Sequence, residues 1–312
     1  MIDNDEPLKK YIQCLIDNLD KNRLPKKLDL ILSGGAFNGA YCIGTLIYLK
    51  ELEKLDILNV NRVSGCSIGA ILGVLYLTNN MSYCIEIYKN FLDNFRKELN
   101  IKFREQLIKK YVYEVFQNDN MESINDKLYI TFYDSKKKEQ IVISNYESRD
   151  VLIDCLIKTS HIPFMSGEDY KYKNNFVDGI LPYIFKKSDY ENLNDAKMLY
   201  VKLTTIKKLA SVMNIKNEKN VYSRLLQGVV DIDEFFNKDK SDMCSYVNNW
   251  NIIDYGLYRS NSFMNIVILF IIDIIIIIKN KLDNQFNSYD SYNKIKINIL
   301  DMFKDSIEYY LL

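Results

Sequence analysis

The chain has 312 residues, 48% of them apolar, with 41 basic and 41 acidic side chains and a formal net charge of zero. That is enough apolar material for one large domain, or for one domain with a smaller appendage. The even balance excludes the basic excess or stripe on which a nucleic-acid-binding surface depends, and the Lys136–Lys138 cluster reads as a solvated turn.

Six cysteines are scattered along the chain without a CxxC pair, so neither a zinc site nor a disulfide framework is expected. The N-terminal stretch MIDNDEPLKK is acidic and polar and shows no secretory pattern. The expectation is an intracellular protein with reduced thiols.

In chain order, residues 1–27 read as a short helix and a polar lead-in. Leu28–Ser33 is a short apolar strand ending on a glycine pair, and a helix follows over 38–52. Asn61–Cys66 is a second strand and Ser67–Leu77 a buried helix. Strand, helix, strand, helix implies a βαβ unit and a parallel sheet. Residues 81–118 carry helical periodicity. The runs 127–133 and 140–144 alternate as two strands around the lysine-rich turn, and 147–160 is helical. Asn175–Val177 and 198–204 are further strands, and beyond 205 the pattern is helical. There is neither an internal repeat nor a long linker.

Residues Phe263–Ile278 are apolar except for Asn265 and Asp273. A helix of that length spans about 24 Å, short of the roughly 30 Å hydrocarbon layer, and it carries an acid near its middle. Reversible contact with a membrane surface is expected, with a membrane anchor as the alternative.

Gly65-Cys66-Ser67-Ile68-Gly69 matches G-x-S-x-G, in which small residues let the backbone pinch and expose the serine hydroxyl between strand and helix. The same five residues also suit a plain strand-to-helix turn with a capping serine. Histidine is the usual base for such a serine. This chain has a single histidine, His161, and none follows Asp178, so the order Ser…Asp…His of the α/β-hydrolases fits poorly.

Upstream, Ser33-Gly34-Gly35-Ala36-Phe37-Asn38-Gly39 sits between a strand and a helix, where backbone N–H groups attract anions. A phosphate site, an oxyanion hole and a structural turn all fit such a loop. The Gly-Lys-Ser/Thr ending of a P-loop is missing, and the next strand runs into GCSIG rather than an acid, which favours the oxyanion hole. Gly35 and Ser67 lie 32 residues apart (67 − 35), about one βαβ unit, so adjacent parallel strands would bring both loops to one sheet edge. Further on, FVDGILP places Asp178 at a strand end before Gly179, either as a common Asp-Gly turn or as a carboxylate within reach of Ser67.

Taken together and in this order, SGGAFNGAYCIG, GCSIG and FVDGI resemble the patatin-like phospholipase family. Its glycine loop reads G-G-G-x-R/K-G, its elbow G-x-S-x-G and its acid motif D-G-G/A. IKTSHIPFM is similar to the segment before the acid, A-S-x-x-P. The likeness covers about residues 28–205. It implies a three-layer α/β/α sandwich with a mainly parallel sheet, a catalytic domain over 28–205 after the 1–27 lead-in, and a helical extension over 206–312 packed on it. It also implies a Ser67/Asp178 dyad, an oxyanion hole from Gly34, Gly35 and Ala36, and supporting roles for Asn38, Gly39, Gly65, Gly69 and Gly179. The implied substrate is a phospholipid or other fatty-acyl lipid, cleaved through an acyl-serine with no cofactor or metal. A non-catalytic lipid-binding relative, an acyltransferase and a thioesterase are the alternatives. Three departures stand out: Ala36 for glycine, which is mild if its φ is negative; Asn38 for Arg or Lys; and Ile180 for the second small residue after the acid.

Overall fold

The computed structural model describes residues 6–98, 100–163, 165–166, 171–179, 181–186, 196–204, 212, 215, 220–260 and, further on, 271, 274, 278, 281 and 285. Residues 1–213 with 218–249 form one compact unit, and 214–217 with 250–312 a second.

The first unit is built on a seven-stranded mixed sheet. Its strands are β1 (Lys27–Leu32), β2 (Asn59–Gly65), β3 (Leu128–Asp134), β4 (Glu139–Ile143), β5 (Phe176–Val177), β6 (Ala196–Val201) and β7 (Cys244–Tyr246). The order is β4-β3-β2-β1-β6-β7, with β5 paired to β3 off that path. The four central strands β3, β2, β1 and β6 run parallel, while β4, β5 and β7 pair antiparallel. The near-continuous burial of β1 is what a parallel strand covered on both faces requires. Its one buried charge, Asp29, is paired with Arg62 of β2 at 3.0 Å.

Helices flank the sheet: α1 (Glu6–Asp17), α2 (Gly39–Lys54), α3 (Ile68–Leu77), α4 (Tyr83–Glu98), α5 (Arg104–Val115), α6 (Arg149–Thr159) and α7 (Tyr222–Lys238). α1 and α7 pack with α2, while α4 and α6 pack on α3, with α5 on α6. The result is the expected three-layer α/β/α sandwich. α2 is buried along almost its whole length, which explains its apolar sequence on every face.

The helical periodicity over 81–118 resolves into two helices, α4 and α5, with the buried Arg104 at the start of α5. One expectation needs correction. A strand, β7, falls in the region read as wholly helical, where Leu199–Val201 of β6 offers an open edge to pair with.

In the second unit, residues 252–260 are helical, with Ile252, Ile253 and Leu257 exposed by 88, 66 and 58%. Most of the apolar segment 263–278 lies outside the described residues; Ile271, Ile274 and Ile278 are helical and exposed. Among the described residues no helix is long and apolar enough to cross a membrane.

Candidate active site

β1 and β2 are parallel neighbours in register from Leu32 to Gly65, so the loops that leave them open on the same edge of the sheet. The first is the glycine loop and the second the elbow. A Cβ built on Gly34 would lie 3.1 Å from the Cβ of Ser67 and 3.8 Å from its Oγ, so the loop passes directly over the serine.

Ser67 has φ 51° and ψ −129°, a conformation that costs a non-glycine residue about 1–3 kcal/mol and persists only where neighbours force it. Those neighbours are visible. A side chain on Gly65 would collide with the backbone of Gly69 and Ala70 at 2.7 Å, and one on Gly69 with the carbonyl of Leu32 at 2.5 Å. Gly39, at the start of α2, is pressed on Ile68 in the same way. The Ser67 N–H donates to Thr159 Oγ1 at 2.8 Å, and that hydroxyl donates to the Thr131 carbonyl at 2.5 Å. Thr159 thus ties the elbow to β3.

The acid arrives from the other side. β5 ends at Val177, and the Asp178 N–H donates to the carbonyl of His161 at 2.9 Å. Gly179 is wedged so closely that a Cβ there would sit 2.1 Å from the Thr131 carbonyl and 2.9 Å from Cys66 Cβ. The Ser67 hydroxyl lies close enough to the Asp178 carboxyl to favour its ionised form. Asp178 keeps some surface exposure as a residue, but its Oδ1 is buried and takes no hydrogen bond from the described residues. Burial pushes the carboxyl up to about 8, against the opposing pull of the Ser67 hydroxyl, the Arg104 charge and the Gly179 N–H. Ile180 lies outside the described residues.

His161 is not brought to the serine by its side chain. It is buried, and its Nδ1 meets Arg104 Nη2 at 3.3 Å. Arg104 also donates to Ser160 Oγ and to the carbonyls of Ile157 and Ser166. His161 therefore supports the acid through its backbone. His161→Asn is expected to keep the greater part of any ester-hydrolase activity. Wild-type kcat/KM should rise as pH climbs through about 8, with Asp178, and the variant's limb should stay there. A limb that moves with the histidine, or that sits near the roughly 6.5 of an imidazole, would transfer the base to His161.

The glycine loop differs from expectation at Ala36. The Gly34 N–H points at Cys66 Sγ, 3.2 Å away, and Phe37 N–H goes to the Val212 carbonyl. Among the described residues the N–H groups of Gly35 and Ala36 donate to nothing. Ala36 has φ 43°, not the negative value that would make the replacement mild; it sits in left-handed backbone at the start of a single 3₁₀ turn over Ala36–Asn38. Asn38 is fully buried, donates through Nδ2 to the Leu203 carbonyl at 2.8 Å, and accepts from Arg224 Nη1 of α7 at 3.1 Å.

Ser67 and Ala36 both line an apolar cavity of about 90 Å³, walled by Ile71, Leu75, Phe91 and Leu107. The described residues contain no converging group of three His, Cys, Asp or Glu side chains.

Thr159, Arg104 and Arg224 were not singled out from the sequence. Thr159 had a signal, as part of the KTSHIP segment before the acid. The two arginines had none, since their partners are distant in the chain.

The patatin-like phospholipase family model matches residues 30–195. Human patatin-like phospholipase domain-containing protein 2 is 24% identical over 148 residues, 46% of this chain and 29% of that protein. Mouse omega-hydroxyceramide transacylase is 24% identical over 145 residues, 43% of this chain and 24% of that protein. Human patatin-like phospholipase domain-containing protein 4 is 25% identical over 165 residues, 49% of this chain and 64% of that protein. The alignments span from 24% to 64% of these relatives, and the family model's residues 30–195 contain the glycine loop, the elbow and the acid turn described above. The chain belongs to the patatin-like phospholipase family.

Proposed function

We propose that the protein is a lipid acyl hydrolase working through a Ser67/Asp178 dyad. The observation that carries this reading is the strained Ser67 placed next to the buried Asp178 carboxyl, beside an apolar cavity. Ionised Asp178 takes the Ser67 proton as Oγ attacks the carbonyl carbon of a fatty-acyl ester. The carbonyl oxygen becomes an oxyanion and is received by the N–H groups of Gly35 and Ala36. Protonated Asp178 then gives its proton to the departing alkoxide, leaving an acyl-serine. Water repeats the sequence, Asp178 taking its proton and returning one to Ser67 as the fatty acid leaves. The residues named account for every proton, so the scheme calls on no cofactor or metal.

The cavity walls suit a fatty-acyl chain, and a phospholipid or neutral lipid ester is the substrate class we infer. Exposed Ile252, Ile253 and Leu257 support peripheral contact with a lipid surface. Transfer of the acyl group to an alcohol other than water is a second reading, favoured by the similarity to a transacylase. Product analysis with an added alcohol separates it from hydrolysis.

A fluorophosphonate probe tests the dyad. Wild type is expected to be labelled on Ser67, and Ser67→Ala to lose both labelling and esterase activity. Folded wild type that resists the probe would overturn the reading and leave a lipid-binding role.

A further inference from the structure

The family match ends at residue 195, yet the glycine loop is held from beyond it. Three contacts join the loop to Leu203, just past β6. The Leu203 N–H donates to Ser33 Oγ at 2.8 Å, its carbonyl accepts from Asn38 Nδ2 at 2.8 Å, and Gly35 lies so close that a Cβ there would meet Leu203 Cβ at 2.5 Å. Behind Asn38 stands Arg224 of α7, itself buried, with its guanidinium 5.9 Å from the centre of the Tyr41 ring.

The chemistry of this chain of contacts leaves one arrangement. A guanidinium has only donors, so it must face the carboxamide oxygen of Asn38. That turns the NH₂ group of Asn38 to the opposite side, where the Leu203 carbonyl accepts from it. With the amide reversed, NH₂ would oppose a guanidinium and oxygen would oppose a carbonyl, two donors and two acceptors in contact inside the protein. Arg224 therefore sets the orientation of Asn38, and Asn38 closes the 3₁₀ turn whose first residue, Ala36, is in strained left-handed backbone. Strained backbone stays put only where its surroundings over-determine it.

Arg224 is also well placed to be rigid. α7 is docked on α2 backbone to backbone, Gly228 against the Tyr41 carbonyl and Gly44 against the Leu225 carbonyl. A second bond, Tyr48 OH to Asp233 Oδ1 at 2.7 Å, pins the middle of α7.

We propose that Arg224 is a positioning residue for the oxyanion hole: by orienting the Asn38 carboxamide it holds the Gly35 and Ala36 N–H groups toward the substrate oxygen. The cation that the glycine-loop pattern carries at position 38 is supplied here from α7, outside the matched region. This rests on the hydrolase reading above. It also gives the C-terminal part of the chain a role in the chemistry.

The test compares the full-length wild type with Arg224→Lys, Arg224→Met and the exchange Asn38→Arg with Arg224→Asn. Three readouts are needed: kcat and KM on a p-nitrophenyl fatty ester, the melting temperature, and hydrogen exchange of the amides in residues 34–40. Arg224→Met is expected to lower kcat by ~10–100-fold, somewhat less than outright loss of an oxyanion donor. KM should change little, and loop exchange should rise. Arg224→Lys keeps the charge but loses the planar fork, so it should fall between wild type and Arg224→Met. The exchange should recover part of kcat.

Folded Arg224→Met with wild-type kcat and wild-type loop protection would overturn the proposal. So would a fall in kcat with loop exchange unchanged. If Arg224→Met does not fold, Arg224→Lys decides by the same two readouts. If wild type itself shows no turnover, the hydrolase reading falls, and loop exchange in the Arg224 variants alone decides whether Arg224 holds the loop.

Discussion

Asp178→Asn is expected to give a folded protein that hydrolyses no ester and that melts higher than wild type above neutral pH. The first half follows from chemistry. A carboxamide is nearly the same size as a carboxyl, but it cannot take a proton from Ser67. Loss of the base in serine hydrolases costs on the order of 10⁴-fold or more in kcat. The second half follows from linkage. In the unfolded chain an aspartate titrates near ~4, whereas burial pushes folded Asp178 up to about 8. Between those values the folded state keeps a proton that the unfolded state has released. Stability therefore falls as pH rises across that window, and the loss is complete once Asp178 ionises in the folded state. Asparagine does not ionise, so its stability escapes this fall.

The two proteins should thus melt alike near pH 4 and diverge progressively up to about pH 8, as thermal melts in a series of buffers would register. Curves that stay parallel across the range would mean that the carboxyl is not desolvated and that its base strength has another origin. The result also bears on mechanism. The burial that makes Asp178 a stronger base than a solvated carboxylate is the same burial that weakens the fold above neutral pH, a trade between stability and activity common at active sites.

The parts of this molecule that could be read from sequence are those whose causes are local. The strand at 28–33, the helix at 38–52, the strand at 61–66 and the helix at 67–77 match β1, α2, β2 and α3 to within two residues at each end. Their boundaries are turns whose chemistry is written in adjacent positions. Ser67 was legible for the same reason, since its strain is enforced by Gly65 and Gly69 two residues to either side. Asp178 is one step harder. As an Asp-Gly pair it is an ordinary turn, and only its order after the other two motifs marked it.

What stayed hidden depends on contacts across the chain. Arg224 and Asn38 are 186 residues apart, and Arg104 and His161 57 apart; no periodicity or spacing announces such pairs. The sign of φ at Ala36 is of this kind too. An alanine alone gives no cause for left-handed backbone, but the bond from Phe37 N–H to Val212 and the Asn38 bridge to Leu203 supply it. Likewise β7 has only three residues, too few for an alternating pattern, and exists because β6 offers it an edge.

The glycines of the α2–α7 crossing were equally silent, and they set up a contest of opposing effects at Gly228. In mid-helix, replacing glycine with alanine normally stabilises by about 1 kcal/mol, through helix propensity. At Gly228 the new Cβ would sit 1.9 Å from the Tyr41 carbonyl oxygen. Real Cβ atoms essentially never come within 3.0 Å of such an atom, so the helices must part by at least 3.0 − 1.9 = 1.1 Å. Overpacking of that sort costs about 1–3 kcal/mol where side chains can yield, and more where the obstacle is backbone, as here.

The clash therefore wins, and Gly228→Ala should lower the melting temperature by several degrees, at roughly 2–4 °C per kcal/mol for a domain of this size. Its effect on turnover should exceed what the lost stability explains. The Arg224 bond to Asn38 is already 3.1 Å long, and a helix displaced by an ångström takes Arg224 out of hydrogen-bonding range. Assayed well below its melting point, the variant should show the fall in kcat expected of Arg224→Met. Gly256→Ala is the matched control, because a Cβ there meets nothing within 4 Å and only the propensity gain remains. A Gly228→Ala protein that melts higher than wild type and turns over normally would mean that α7 can slide on α2 without disturbing the glycine loop, and α7 would then be scaffold rather than part of the oxyanion machinery.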